Sequence, residues 1–541
     1  MRVNLNQQSQ SIVEEGLKKL KAFNFKERFY KHDATLWKTE KEHTDIINNS
    51  LGWTNVYDWT LTKVTEIKDF AEETKKEFTS VVLMGMGGSS LAPEVLRVVF
   101  GKQEGYPTLF ILDTTNPTKI LEITSKINLE KTLFIFASKS GGTVEPSSQF
   151  AYFYDLLSQK VQNPGNHFIA ITDPNTGLVK LAEEKHFRKV FINKSDIGGR
   201  FSALSLFGML PAALAGIDVE KLLKVAKEAG EDFQNTEDNP ALMLGALMGQ
   251  GFIEGKDKLT LIMPKEISVL GLWIEQLIAE STGKEKKGIL PIVLQEVAAE
   301  KDYLEDRIFV NVNYQSKSYK SNFKNIPYME VGMEDKYQIS AQFLLWEIAT
   351  AAAGAIMKID PFDQPNVQLS KTITKNILTS LAEGKKDEAV KAEFLTSNNL
   401  QGEISKKYLL SDIAKQASNK DYFALLAYLP ESEELTQLFN KMKEGLFKAT
   451  HRAVIFGYGP RYLHSTGQLF KGDAGKGIFV IFSSEVKEDA GIPSQPYTFK
   501  DLCQAQALAD FKALEEKGRR VIKIHLPVDP VSALKDLLKT F

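Results

Sequence analysis

The sequence predicts an α/β chain with two doubly wound parallel sheets, a helical N-terminal arm and a helical insertion. Three observations carry that expectation. From Ser80 onward, short β-branched runs ending in turn residues alternate with helical stretches. The runs are continuously apolar rather than alternating, which suits strands buried on both faces. The helical spacers between them supply the crossovers that parallel neighbours need.

Taken in order, residues 1–60 are polar and helix-favouring and read as the arm. Residues 61–225 form the first expected domain. Its strands are Val81-Val82-Leu83-Met84, Thr108-Leu109-Phe110-Ile111-Leu112, Thr132-Leu133-Phe134-Ile135-Phe136, Phe168-Ile169-Ala170-Ile171 and Val190-Phe191-Ile192. The most apolar stretch, Phe201 to Ile217, contains Ser202, Ser205 and Pro211 and is short of the ~20 residues of a membrane span, so it reads as a buried helix. Residues 226–541 are expected to form the second domain, opening with Leu259-Thr260-Leu261-Ile262-Met263 and Ile308-Phe309-Val310-Asn311-Val312 and a long helix near 338–357. Lys/Glu-rich helical text interrupts it at about 385–450. Strand-like runs at 454–456, 478–481 and 521–524 are then expected to complete the same second sheet.

The chain has 541 residues, 43% hydrophobic and 25% charged, which excludes disordered, collagenous and disulfide-miniprotein classes. Sixty-seven Lys+Arg against sixty-nine Asp+Glu leave a net charge of −2, so nothing argues for a nucleic-acid or anionic-membrane partner. Cys503 is the only cysteine, which forbids an intramolecular disulfide and any CxxC site. With no signal-peptide apolar region at the start, a cytoplasmic protein is expected. No histidine pair has HxxxH or HExxH spacing, so neither a metal nor a cofactor is expected.

Two loops stand out as anion sites. Gly85-Met86-Gly87-Gly88-Ser89-Ser90 follows the first strand and precedes a helix, where glycines let backbone approach an anion and the helix end offers free N–H groups. It lacks the third glycine of a dinucleotide fingerprint, and a tight turn is its ordinary alternative. Ser138-Lys139-Ser140-Gly141-Gly142-Thr143 follows the third strand and opens a helix whose first turn contains Glu145 and Pro146. Three hydroxyls and two glycines in six residues make a neutral phosphate nest, with N-capping as the ordinary alternative for any one hydroxyl.

These motifs, with Asp196-Ile197-Gly198-Gly199-Arg200-Phe201-Ser202 after the fifth strand, resemble the first sugar-isomerase (SIS) domain of the glucose-6-phosphate isomerase family. Gln276-Leu277-Ile278-Ala279-Glu280-Ser281-Thr282-Gly283-Lys284 resembles the family's catalytic-glutamate motif. Pro361-Phe362-Asp363-Gln364-Pro365-Asn366-Val367-Gln368-Leu369-Ser370-Lys371 resembles its catalytic-lysine motif. The family's ring-opening histidine lies between those two motifs, yet residues 281–370 contain no histidine. The nearest counterpart, Leu463-His464-Ser465-Thr466-Gly467-Gln468, follows Lys371. That order resembles the isomerase half of fused transaldolase–glucose-6-phosphate isomerase proteins. A transaldolase barrel takes about 250 residues, so the isomerase unit alone is expected here.

The resemblance implies two SIS domains, a homodimer and interconversion of glucose 6-phosphate with fructose 6-phosphate through an enediolate. Glu280 is then the base moving the proton between C2 and C1, with Gln276 one helical turn earlier on the same face. Arg200 supplies a fixed cation for the enediolate oxygens. His464 and Lys371 serve ring opening. Substrate binding falls to Gly87, Gly88, Ser89, Ser138, Lys139, Ser140, Thr143, Gln276 and Gln364. The competing readings are a dual phosphoglucose/phosphomannose isomerase and a non-catalytic sugar-phosphate sensor, which would keep the loops but need no base.

Overall fold

The computed structural model describes residues 2–541 apart from 238, 294–296, 316, 318–322, 386, 387 and 540. Three five-stranded sheets organise them, each mainly or wholly parallel. The expected α/β class of parallel sheets is what the chain adopts; the count of sheets differs from the expectation.

The arm does not begin as a helix. Val3–Leu5 (β1) precedes the helix Gln7–Ala22, which is capped by Asn6. A three-residue strand carries no readable period, which is why it escapes a pattern search.

The first sheet contains β2 (Ser80–Met84), β3 (Thr108–Leu112), β4 (Thr132–Ala137), β5 (Phe168–Thr172) and β6 (Lys189–Ile192). Its order is β3-β2-β4-β5-β6 with every pairing parallel. Strands β2 and β4 are buried along their whole length, which accounts for their unbroken apolar text. Strand order reverses at this pair, so the chain leaves β2 and β4 in opposite directions and opens a crevice at their carboxyl ends. The two hydroxyl- and glycine-rich loops flank that crevice. Within the stretch read as a buried helix, Leu206–Leu214 is helical and all of its residues are buried.

The second sheet contains β7 (Lys258–Ile262), β8 (Leu290–Ile292), β9 (Arg307–Tyr314) and β10 (Tyr328–Met333) in the order β1-β10-β9-β7-β8. The N-terminal strand β1 closes it as the antiparallel edge against β10. Among the described residues, one helix is long and apolar enough to cross a membrane, Lys336–Met357, and its 18-residue apolar window is wholly buried inside the fold. Its helical core Ile339–Met357 packs between Pro240–Ile253 and Leu270–Thr282.

The C-terminal strands do not complete this second sheet. They form a third one from β11 (Phe394–Thr396), β12 (Tyr422–Tyr428), β13 (Ala453–Tyr458), β14 (Gly477–Ser484) and β15 (Arg520–Leu526), ordered β11-β15-β14-β12-β13. The stretch 385–450 is therefore not a helical insertion. It contains the strand β12, paired on one side with β13 and on the other with β14. The seven fully buried residues of β12 give this sheet an interior of its own, so it has no need to borrow the edge of the second. The helix Glu433–Thr450 covers it and accounts for the Lys/Glu-rich text.

Candidate active site

A cavity of about 490 Å³ lies at the carboxyl ends of β2 and β4. Its wall contains each residue singled out from the sequence: Gly87, Gly88, Ser89, Ser138, Lys139, Ser140, Thr143, Arg200, Gln276, Glu280, Gln364, Lys371 and His464. Six separate stretches of chain thus meet in one place. A second cavity of similar size adjoins it beyond Lys371 and His464, lined in part by Leu378, Tyr497 and Val144.

On the first-sheet side, Ser138 Oγ lies 3.1 Å from Thr143 Oγ1 and accepts from Gly141 N–H at 3.1 Å. Thr143 precedes the helix Val144–Ser158 but makes no side-chain cap to it. The helix N-terminus therefore stands uncapped at the cavity wall, where its dipole favours an anion. N-capping, the ordinary use of such a threonine, does not occur here. Lys139 is less available than the sequence suggests: its ammonium pairs with Asp173 and donates to Ser195 O at 2.8 Å.

The glycine loop after β2 has a packing role. Gly87 adopts a φ of +54°, and a Cβ there would lie 2.7 Å from Gln276 Nε2. A Cβ on Gly88 would come within 1.9 Å of Gly199 O. The two glycines let the loop nest against the arginine turn and the glutamate helix, so protein contacts already require them.

Arg200 sits in the short 3₁₀ turn Gly199–Phe201, 1% exposed. Phe201 beside it stacks on Trp53 at 4.9 Å and tilts against Phe362 at 5.4 Å, a pair of contacts worth about 0.5–1.5 kcal/mol each beyond area burial. The guanidinium donates from Nε to Ser281 Oγ at 2.7 Å and from Nη2 to Pro361 O at 2.6 Å. Its Nη1 has no hydrogen-bond partner and lies 3.8 Å from Glu280 Oε1. Lys284 also binds Asp363, so Arg200 and Lys284 together hold the turn that leads to Gln364 and Lys371.

Glu280 occupies the last turn of the helix Leu270–Thr282 and is buried. Gln276 Nε2 donates to Glu280 Oε2 at 3.1 Å and to the His464 carbonyl at 2.8 Å. One amide therefore spans the candidate base and the candidate ring-opening loop. Burial raises the Glu280 carboxyl above the ordinary range, opposed by Arg200 and by the Gln276 hydrogen bond.

His464 ends the 3₁₀ turn Arg461–His464 that follows β13. Its Nε2 lies 2.9 Å from Glu145 Oε1, which also accepts from Gln506 Nε2 at 2.8 Å. Burial pushes the Glu145 carboxyl up, but His464 and Lys371 outweigh it and the net displacement is downward. Sequence reasoning places Glu145 only as a first-turn helix residue. The signal that could have found it is its position two residues after the hydroxyl loop, in the first turn of the helix that loop opens; it lines the adjoining cavity. The displaced order of His464 has its cause in the third sheet, whose strand ends face those of the first.

Residues 56–291 match the family described as phosphoglucose isomerase. A probable glucose-6-phosphate isomerase of Methanococcus maripaludis is 26% identical over 437 residues, spanning 72% of this chain and 98% of that protein. Over these residues the chain is similar to phosphoglucose isomerases. Among solved structures, a hypothetical protein of Thermus thermophilus superposes with a TM-score of 0.59 at 22% identity, covering 69% of this chain and 99% of that one. A glucose-6-phosphate isomerase from Chlamydia trachomatis superposes at 0.56 and 16% identity, covering 69% and 86%. About seven tenths of the chain therefore shares the fold of these two structures.

Proposed function

We propose that the protein interconverts glucose 6-phosphate and fructose 6-phosphate through an enediolate, the reaction of glycolysis and gluconeogenesis, in the cytoplasm. One observation supports this above the others: Gln276 ties a buried carboxylate, Glu280, to the loop of a histidine–carboxylate pair, across from an uncapped helix end lined with hydroxyls. A sugar-phosphate sensor needs the hydroxyls and the helix end; it has no use for the base.

Each group has its task. The phosphate takes the Ser138, Ser140 and Thr143 hydroxyls and the N-terminus of Val144–Ser158, a neutral site that leaves the charge of Arg200 for the reacting end. Glu145 is ionised, and an ionised carboxylate only accepts, so the proton of its bond with His464 sits on Nε2. Nδ1, without a hydrogen-bond partner among the described residues, is left to exchange a proton with the substrate ring oxygen. Lys371 stands beside it on the helix Val367–Ala382. Once the ring is open, Glu280 takes the proton from one carbon and returns it to the other. The unpartnered Nη1 of Arg200 meets the negative charge that develops on the enediolate oxygens.

Glu145, His464, Glu280, Arg200 and Lys371 all come from one chain. The homodimer implied by the family resemblance is thus not required to supply the histidine. The test is a coupled assay of the purified protein with fructose 6-phosphate, reading glucose 6-phosphate and mannose 6-phosphate separately, with and without chelator. Glucose 6-phosphate is the expected main product, unaffected by chelator. Mannose 6-phosphate in comparable amount would favour the dual activity, and neither product would leave the sensor reading.

A further inference from the structure

We infer that Asp113 and Arg461 are positioning residues that seat His464 in the active site; the inference rests on the ring-opening role proposed for that histidine. Arg461 begins the 3₁₀ turn and His464 ends it. In a 3₁₀ turn, side chains three residues apart emerge on the same face. Both meet the first-sheet unit. Arg461 Nε and Nη2 form a fork on Asp113 Oδ2 and Oδ1 at 2.7 and 2.9 Å, while His464 reaches Glu145.

Asp113 immediately follows β3 and its side chain is 5% exposed, so the pair is largely shielded from solvent. Nη2 of the same arginine binds Glu431 Oε2 at 3.0 Å, on the loop after β12. Arg461 therefore bridges the strand ends of the first and third sheets. Among the described residues, this is the one Lys/Arg–carboxylate pair joining residues 80–225 to residues 394–541. The rest of the turn is held from behind, with Tyr462 OH donating to Asp510 Oδ2 at 2.6 Å inside the third unit. That contact fixes the turn to its own sheet but says nothing about its place against Glu145. Gln276 holds the His464 carbonyl toward the second-sheet side, and the fork on Asp113 sets the turn against the first sheet, a two-point planar contact that a lysine cannot reproduce.

The test compares Asp113→Asn and Arg461→Lys with the unaltered protein. Loss of the fork should lower turnover of cyclic glucose 6-phosphate on the order of 10- to 100-fold, while proton exchange on an open-chain four-carbon aldose phosphate changes less than about threefold, since a misplaced reacting group loses rate without any loss of the base. The double variant should be no worse than the poorer single one, because both remove the same contact. Carbethoxylation of His464 by diethyl pyrocarbonate, mapped by mass spectrometry, should be faster in both variants. This last reading needs no turnover. If the unaltered protein proved not to be an isomerase, the functional reading would fall, and the His464 reaction rate would still decide the positioning claim. Equal losses on both substrates, full activity in both variants, or an unchanged carbethoxylation rate would each overturn it. Asn at 113 keeps the shape of the side chain, so this variant, checked by its thermal melt, carries the test should Arg461→Lys fail to fold.

Discussion

Glu280→Gln is expected to keep the fold and the affinity for sugar phosphate while isomerisation falls on the order of 100-fold to 10,000-fold, the usual cost of losing a general base. The amide is nearly the same size, and its carbonyl can still accept from Gln276 Nε2, which donates to the native carboxylate at 3.1 Å. Binding should therefore be spared, because the residues proposed for the phosphate, Ser138, Ser140 and Thr143, lie apart from Glu280 in the wall of the cavity. The measurement is turnover in the coupled assay beside the affinity for a non-reacting sugar-phosphate analogue. A pH profile adds a sign. Burial raises the Glu280 carboxyl, and a base works only when ionised, so activity of the unaltered protein falls as pH drops through a value above the ordinary glutamate range. In Glu280→Gln that limb should vanish from the residual rate. Turnover like that of the unaltered protein would remove Glu280 from the mechanism.

The second large effect is expected at His464. His464→Ala should impair turnover of cyclic glucose 6-phosphate more than C2 proton exchange on a four-carbon aldose 4-phosphate, whose ring-closing hydroxyl carries the phosphate. General acid–base assistance of ring opening is worth on the order of 100-fold to 10,000-fold, and the open substrate has no use for it. Alanine also strips Glu145 of a partner 2.9 Å away, leaving a buried carboxylate with Gln506 as its donor. An uncompensated buried charge is costly, so this variant should also melt at a lower temperature. His464→Gln separates the two effects, since an amide can donate to Glu145 but cannot carry a proton to the sugar. Equal losses on both substrates in His464→Gln would assign the residue to binding or structure instead.

Strand text is legible where it is long and apolar. The five strands of the first sheet and the strands starting at Lys258 and Arg307 lie where the sequence puts them: burial on both faces writes an unbroken apolar run in β2, β4, β5 and β7, and the partly buried edge strands β3 and β6 are apolar enough to be read with them. Tyr422–Tyr428 is just such a run, yet the charged text of Glu433–Thr450 that follows draws it into a helical reading. Without β12 the third sheet has no centre, and the remaining C-terminal strands then fall to the second. The site is legible through its local motifs, since Gly-x-Gly-Gly-Ser, Ser-Lys-Ser-Gly-Gly-Thr and the glutamate and lysine stretches each carry their chemistry within a few residues. What cannot be read locally are the pairings across long stretches of chain. Glu145 with His464, Lys139 with Asp173, and Arg461 with Asp113 exist only once the sheets are placed.

The proton itself tests the central claim most directly. Incubated with fructose 6-phosphate in D₂O for many turnovers, the protein should yield glucose 6-phosphate carrying deuterium at C2 and leave fructose 6-phosphate labelled at C1. A carboxylate that holds the proton between its removal and its return gives that proton time to exchange with solvent. Glu280→Gln should show neither label above background. Rapid conversion by the unaltered protein with no deuterium in either sugar, or labelling that persists in Glu280→Gln, would contradict an enediolate route served by Glu280.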